Sequence, residues 1–292
     1  MTSPSGFFVT PTAKPAPDTG EVEVLYTSEG GHSLLLRGRS NDRIVVYKTL
    51  QEAYRDDPVW QRILRREYEI GASLKHPGIC EIIDWVRLPG YGDAIEMEWI
   101  NGVPLDRWLA AHPADQTRRH RILLDLCDAL SYLHRKQVIH RDLKPENILI
   151  TQQGAYPKIL DFGLSDTDSI LTGKDPAGTL QYAAPEVIRG EEGNARSDIY
   201  SLGRIIGQMG PAFQRVARRC TAEDPDKRYA SAEDLRRDLE KSRHARILAG
   251  ITGAAGFGLL LLLGFLALRP DPVQQLFEES AGQVRQAATG SK

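Results

Sequence analysis

The sequence predicts an α+β fold built as two lobes with a cleft between them. Residues 21–105 read as strands interrupted by one helix, with apolar side chains alternating at period two. Residues 106–245 read as helices, with apolar side chains at three- and four-residue spacing. Strands gathered in one stretch and helices in the next segregate as they do in α+β domains. The boundaries expected are a small strand-rich lobe over 21–100 and a larger helical lobe over 101–245.

The elements follow in order. Residues 1–20 are rich in Pro, Ser and Thr and read as a flexible tail, with Phe7, Phe8 and Val9 as its one apolar spot. This leader has no basic-then-apolar pattern and does not read as a secretion signal. Glu21–Tyr26, Leu34–Arg37 and Arg43–Leu50 read as strands. Asp57-Pro58 supplies an N-cap and a first-turn proline. The helix they start carries Ile63, Leu64, Tyr68 and Leu74. Gly90–Gly92 turns the chain into a strand over Ala94–Trp99. In the helical part, Ile122, Leu126, Leu130 and Leu133 line one face, Asp198–Gly207 and Ala212–Cys220 follow, and Ser231 caps a last helix through Leu239.

Composition excludes several classes. The chain has 292 residues and a formal net charge of −2, which argues against nucleic acid as a partner. Three cysteines, Cys80, Cys127 and Cys220, lie far apart with no CxxC, so neither a disulfide framework nor a cysteine zinc site is expected. Residues 247–268 carry no charge over 22 positions. At about 1.5 Å per residue such a run spans the roughly 30 Å core of a bilayer. A transmembrane helix is therefore expected over 246–268. Residues 227–246 hold seven Lys or Arg and residues 269–288 hold two, which places the large N-terminal part in the cytoplasm. Residues 269–292 would form a short tail on the other side. Basic residues beside the segment would meet lipid headgroups. Gly250, Ala254 and Gly258 recur every fourth residue and would let two such helices pair in a homodimer.

One constellation carries chemistry. It begins with the string His140-Arg141-Asp142-Leu143-Lys144-Pro145-Glu146-Asn147. Asp161-Phe162-Gly163 follows, then Ala184-Pro185-Glu186, while Lys48 ends a strand upstream. In this order and spacing the motifs resemble the signature set of eukaryotic-like (Hanks-type) serine/threonine protein kinases, over roughly residues 22–242. The resemblance implies the bilobal protein-kinase-like fold. It implies ATP as phosphoryl donor, Mg²⁺ as its metal (with Mn²⁺ as the substitute), and proteins with Ser or Thr acceptors as substrates.

Carried onto this sequence, Asp142 would accept the substrate proton and Lys144 would neutralise charge on the transferred group. Asn147 and Asp161 supply oxygens suited to Mg²⁺. Lys48 would hold the nucleotide phosphates and needs a carboxylate partner. Glu67, nine residues before His76-Pro77, is the choice over Glu69, because two residues turn a helix by about 200°. Met97 falls at the gatekeeper, with Glu98 and Ile100 in the hinge against adenine. Leu35, Val46 and Leu149 would enclose the base. Asp198 would brace the catalytic loop, and Glu186 would pair with Arg228.

The sequence also departs from the family pattern. The phosphate-covering glycine motif aligns with Ser28–Ser33, where Gly30 alone keeps its place and Ser28 and Ser33 stand for glycines. Gly71 stands where an apolar side chain usually braces the helix of Glu67, so a loosened helix is expected. The stretch after Gly203 is short by a helix and its loops. Arg141 would meet a phosphate on the activation loop, where Ser165, Thr167, Ser169, Thr172 and Thr179 are the regulatory positions. Two readings follow: a membrane-anchored serine/threonine kinase that phosphorylates its own activation loop, or a pseudokinase-like nucleotide-binding signalling or scaffold module.

Overall fold

A computed structural model describes residues 13–15, 22–28, 31–161, 180–241, 260, 261 and 280. The chain divides into two compact units, Met1–Leu239 and Glu240–Lys292.

The first unit begins with a six-stranded sheet. Its strands are β1 (Lys14–Pro15), β2 (Glu23–Thr27), β3 (Ser33–Ser40), β4 (Arg43–Leu50), β5 (Ile82–Leu88) and β6 (Gly92–Glu98), in the order β1-β5-β6-β4-β3-β2. β3 and β4 form a hairpin closed by Asn41 and Asp42, both at positive φ, as a tight primed turn requires. Period-two alternation then sorts the side chains. Leu34, Leu36, Val45 and Tyr47 bury against Val86, Leu88 and Ala94 on one face. Leu35, Val46 and Lys48 leave by the other face, towards α1 and the second lobe.

Helix α1 (Pro58–Ala72) starts as the sequence dictates. The Asp57 side chain accepts from the Val59 N–H, and Pro58 takes the first turn. Trp60, Ile63, Leu64 and Glu67 share its buried face. The helix stops at Ser73, so Leu74, expected on it, is buried in the turn beyond.

The second lobe is mostly helical. It holds α2 (Leu105–Ala111), α3 (Gln116–Arg135), α4 (Pro185–Ile188), α5 (Ala195–Gln208), α6 (Gln214–Cys220) and α7 (residues 232–241). A three-stranded sheet of β7 (Gly102–Pro104), β8 (Ile148–Thr151) and β9 (Pro157–Ile159) lies with them. Asn194 caps α5 in a reciprocal box with Ser197, and the Ser231 hydroxyl accepts from the Asp234 N–H at the start of α7. The expected stripe of α3 is fully buried in a core shared with α1 and α5. The connection from α5 to α6 is five residues, and the two helices touch so closely that a Cβ on Gly203 would lie 2.3 Å from that of Cys220. All three cysteines are buried and free.

Two expectations change. The tail is anchored at one point: Ala13 packs on the core, Lys14 and Pro15 pair in parallel with β5, and Lys14 meets Asp84 at 2.8 Å. The outer edge of β5 leaves backbone groups that such a short strand satisfies. Strand β2 is exposed along its whole length, because it is the opposite edge of the sheet. Among the described residues no helix is long and apolar enough to cross a membrane. The uncharged run 247–268, apart from Leu260 and Leu261, and with it Gly250, Ala254 and Gly258, lies outside the described residues. The same holds for Phe7–Val9.

Candidate active site

Two strings meet between the lobes. Lys48 ends up buried on β4, and its Nζ lies 2.6 Å from Glu67 Oε1 and 2.7 Å from Asp161 Oδ1. The pairing selects Glu67, on the buried face of α1, while Glu69 is exposed. Helix α1 holds this pair despite Gly71. Trp60, Ile63 and Leu64 anchor it in the core, and Tyr68 packs on Trp85.

Electrostatics follow from the geometry. Burial works against the Lys48 ammonium, but the charges of Asp161 and Glu67 and hydrogen bonds to both outweigh it and hold its pKa above the ordinary lysine range. Burial pushes the Glu67 carboxyl up to about 7, against the pull of Lys48. Burial also opposes the charge on Asp161, yet the Lys48 ammonium and its hydrogen bond keep that carboxyl below its usual range. Asp161 is thus the ionised oxygen donor of the cluster.

The second string is the loop from His140 to Asn147. Asp198, wholly buried on α5, accepts the N–H groups of His140 and Arg141 at 2.9 Å each and meets His134 Nε2 at 2.8 Å. Both backbone amides converge because Arg141 takes a positive φ of 68°. That conformation is strained for a side chain-bearing residue and persists only where its surroundings enforce it. The His140 ring meets the Leu160 carbonyl at 2.9 Å, tying the loop to the approach of Asp161, itself at φ 51°. Asp142 is left half-buried. Its Oδ2 lies 2.7 Å from Lys144 Nζ and accepts Asn147 Nδ2 at 2.9 Å.

The residues suit magnesium carried by a nucleotide. Asn147 uses its amide nitrogen on Asp142, which leaves Oδ1 as its metal donor. With Asp161 this makes two hard oxygen donors. Among the described residues no group of three His, Cys, Asp or Glu could hold an ion unaided. Magnesium at such sites takes the rest of its shell from phosphates and water. Leu35, Val46, Met97 and Leu149 are half-buried around the same cleft. The Glu98 side chain turns away from it: its Oε1 accepts Lys158 Nζ at 2.5 Å and the Glu81 N–H at 2.8 Å. The Glu98 N–H bonds to the Glu81 carbonyl at 3.0 Å.

Away from the cleft, Arg228 grips Glu186 through two bonds of 2.6 and 2.8 Å, both residues being buried, and Ser197 donates to the same carboxylate at 2.8 Å. Arg141 reaches Glu192 at 3.4 Å. Ser28 and Ser33 flank the phosphate-covering loop. Gly30, Ser165, Thr167, Ser169, Thr172 and Thr179 lie outside the described residues. Four supporting residues escaped the sequence reading: His134, Ser197, Lys158 and Gln51. Each holds a site residue or loop from another element, and no local pattern marks such a partner.

A family profile described as protein kinase domain matches residues 28–224. The chain is 30% identical over 270 residues to a probable serine/threonine-protein kinase of Streptomyces coelicolor, covering 74% of this chain and 39% of that one. It is 34% identical over 215 residues to the serine/threonine-protein kinase PknB of Mycobacterium tuberculosis, covering 68% and 34%. The chain thus spans between a third and two fifths of the length of these relatives. In fold it resembles the kinase domain of Mycobacterium tuberculosis PknI, with a TM-score of 0.59 at 23% identity, over 75% of this chain and 94% of that one.

Proposed function

This chain belongs to the protein kinase family, and we propose that it transfers the γ-phosphoryl group of ATP to serine or threonine hydroxyls of proteins. The observation that carries the proposal is the joint geometry of Lys48, Glu67 and Asp161 beside Asp142, Lys144 and Asn147. Phosphoryl transfer asks chiefly for positioning and charge neutralisation, and each is supplied here by a held side chain. Lys48, fixed by Glu67, binds the α- and β-phosphates. The acceptor hydroxyl donates its proton to Asp142 as its oxygen bonds to phosphorus, and the bond to the ADP oxygen breaks with its electrons. Lys144 neutralises charge on the moving group. Magnesium, held by Asn147 and Asp161, would offset charge on the phosphates.

The activation-loop threonines and serines are the proposed sites of autophosphorylation, with Arg141 as the cation that meets the phosphate. We place the kinase domain on the cytoplasmic face of a membrane, with residues 246–268 as its anchor. The uncharged run and the seven-to-two bias of basic residues support that reading. Pairing through Gly250, Ala254 and Gly258 would bring two domains together for phosphorylation in trans.

The test is labelling. The full chain with Mg²⁺ and γ-labelled ATP should become labelled on Ser or Thr, and the Asp142→Asn variant should not. ATP binding without label on either would turn the assignment to a nucleotide-binding module. Resistance of the chain to alkaline extraction from membranes would support the anchor, and release would remove it.

A further inference from the structure

A cavity of about 740 Å³ opens where the hinge, the loop after α1, helix α3 and the β8–β9 hairpin meet. Lys48, Asp142 and Asp161 take no part in its lining. Its apolar wall is Pro77, Trp99, Ile100, Tyr156 and Pro157, and Tyr156 is 55% exposed there. A space of this size lies within the range of ligand pockets.

The charged groups of the wall are mostly matched to one another. Glu98 takes Lys158 Nζ at 2.5 Å. The Gly78 N–H donates to His76 Nδ1 at 3.0 Å, so the ring proton belongs on Nε2, which meets Asp128 Oδ2 at 3.2 Å. Asp125 is the exception: its Oδ2 is buried with no hydrogen-bond partner among the described residues. Such a wall suits an apolar occupant that brings a hydrogen-bond donor and no carboxylate.

The chain carries such a segment close by. Residues 1–17 hold Phe7, Phe8 and Val9, hydroxyls at Thr10 and Thr12, and no acidic residue. The segment is anchored on the outer edge of β5, with Lys14 beside Val86 and Pro15 beside Arg87. Because that pairing is parallel, the chain enters β1 from the side where β5 starts. Just before β5, the Glu81 carbonyl accepts the N–H of Glu98 in the cavity wall. Five residues of strand rise and two strand spacings put Glu98 about 19 Å from Lys14. Six residues of extended chain carry Phe8 about 20 Å from Lys14. Along the same edge, Ile83 sits at the irregularity of β5 and leaves an apolar side chain 47% exposed.

We propose that residues 7–12 dock in cis along the edge of β5 and seat Phe7 and Phe8 in this cavity. The docked segment ties the strand-rich lobe to α3 and to the β8–β9 hairpin, and its hydroxyl and backbone donors lie within reach of Asp125. Tethering holds the segment at an effective concentration on the order of mM, so a modest intrinsic affinity is enough. The proposal stands apart from the kinase reading, and its test reads contact, not phosphotransfer.

The experiment places photoreactive benzoylphenylalanine at position 8 of the full chain in detergent. Irradiation should give an intramolecular crosslink to a peptide holding residues 76–78, 98–101 or 151–158. Hydrogen exchange supplies the second measurement. Backbone amides of 98–101 and 151–158 should exchange about tenfold faster in Phe7→Ser/Phe8→Ser than in wild type, with those of α5 unchanged. Phe7→Leu/Phe8→Leu, which keeps apolar bulk, should retain most of the wild-type protection. Crosslinks confined to other residues would overturn the proposal. Crosslinks that join two chains would overturn it in favour of a second copy's tail. Equal exchange in wild type and the serine variant would overturn it and leave the cavity to a separate ligand.

Discussion

Two loops face the cleft and they are fixed in opposite ways. The catalytic loop keeps its full motif and is gripped from beneath by one buried carboxylate, Asp198, which takes two of its backbone N–H groups. The phosphate-covering loop has lost most of its motif and is gripped from behind by one neutral amide, Gln51, which takes its carbonyls. The first grip freezes a strained backbone so that Asp142 and Asn147 stand in place. The second ties the carbonyls of Ser28 and Gly31 to the residue that follows β4. A motif constrains the residues that do chemistry; the residues that hold them answer only to geometry.

The sharpest way to break the comparison is at the chemistry itself. Asp142→Asn should lower the phosphotransfer rate by about 10²–10⁴-fold, the usual worth of a positioned acid or base. Its MgATP affinity should stay near wild type, since the proposed role of Asp142 is towards the acceptor hydroxyl. Loss of nucleotide binding would instead make Asp142 a structural residue, and the two loops would no longer differ in role. Glu67→Gln tests the other side of the cleft. It should raise the ATP concentration needed for half-maximal rate, whereas Glu69→Gln should not.

Next come the buried braces of the catalytic lobe. Removing one partner of a buried ion pair costs about 3–5 kcal/mol, because the other is left uncompensated. Arg228→Met should therefore lower the free energy of unfolding by about that amount. Burial opposes the Glu186 charge, but Arg228, its backbone and Ser197 hold its pKa below the usual carboxylate value. A lowered carboxyl pKa gives stability that is present above the unfolded value and is lost as pH falls through the folded one. Wild type should thus lose stability in acid below the ordinary carboxylate range, and Arg228→Met should show less of that loss. Parallel acid profiles for the two proteins would refute the assignment. Asp198→Ala should cost about 2–6 kcal/mol, from two backbone N–H groups left unsatisfied at about 1–3 each.

How much was legible follows the same division. The Asp57-Pro58 start of α1 and the stripe of α3 were readable because local pattern and burial agree there, and the strand over 43–50 was readable from its alternation, although β4 is buried on both faces from Tyr47 to Leu50. Lys48, Glu67, Asp142, Asn147 and Asp161 were readable from motif and spacing, and the structure brings them together. The anchoring of Lys14 on β5 was not, since a two-residue strand has no period to detect. Nor were His134 beneath Asp198 or Gln51 behind the loop. Each lies far in sequence from what it holds, or carries a residue type common everywhere. Gly71 misled in a particular way: the lost contact is real in the sequence, but Trp60, Ile63 and Leu64 supply the anchorage that Glu67 needs.

The smallest effect sharpens the comparison at the weaker grip. Burial is the main reason that the His32 imidazole falls to about 4 from an ordinary 6.5, and the Lys48 charge adds to it. In the folded chain the ring is thus neutral where an unfolded chain would bind a proton. The neutral stack on Trp60 contributes stability that is full above about pH 6.5 and is lost progressively as pH falls towards 4. His32→Gln removes the titrating group and should flatten that part of the stability profile, while leaving the acid limb that belongs to Glu186. Thermal midpoints of both proteins between pH 7 and 5 read this directly. If the two midpoints fall in parallel, the His32 ring does not contribute to holding this loop, and Gln51 holds it alone.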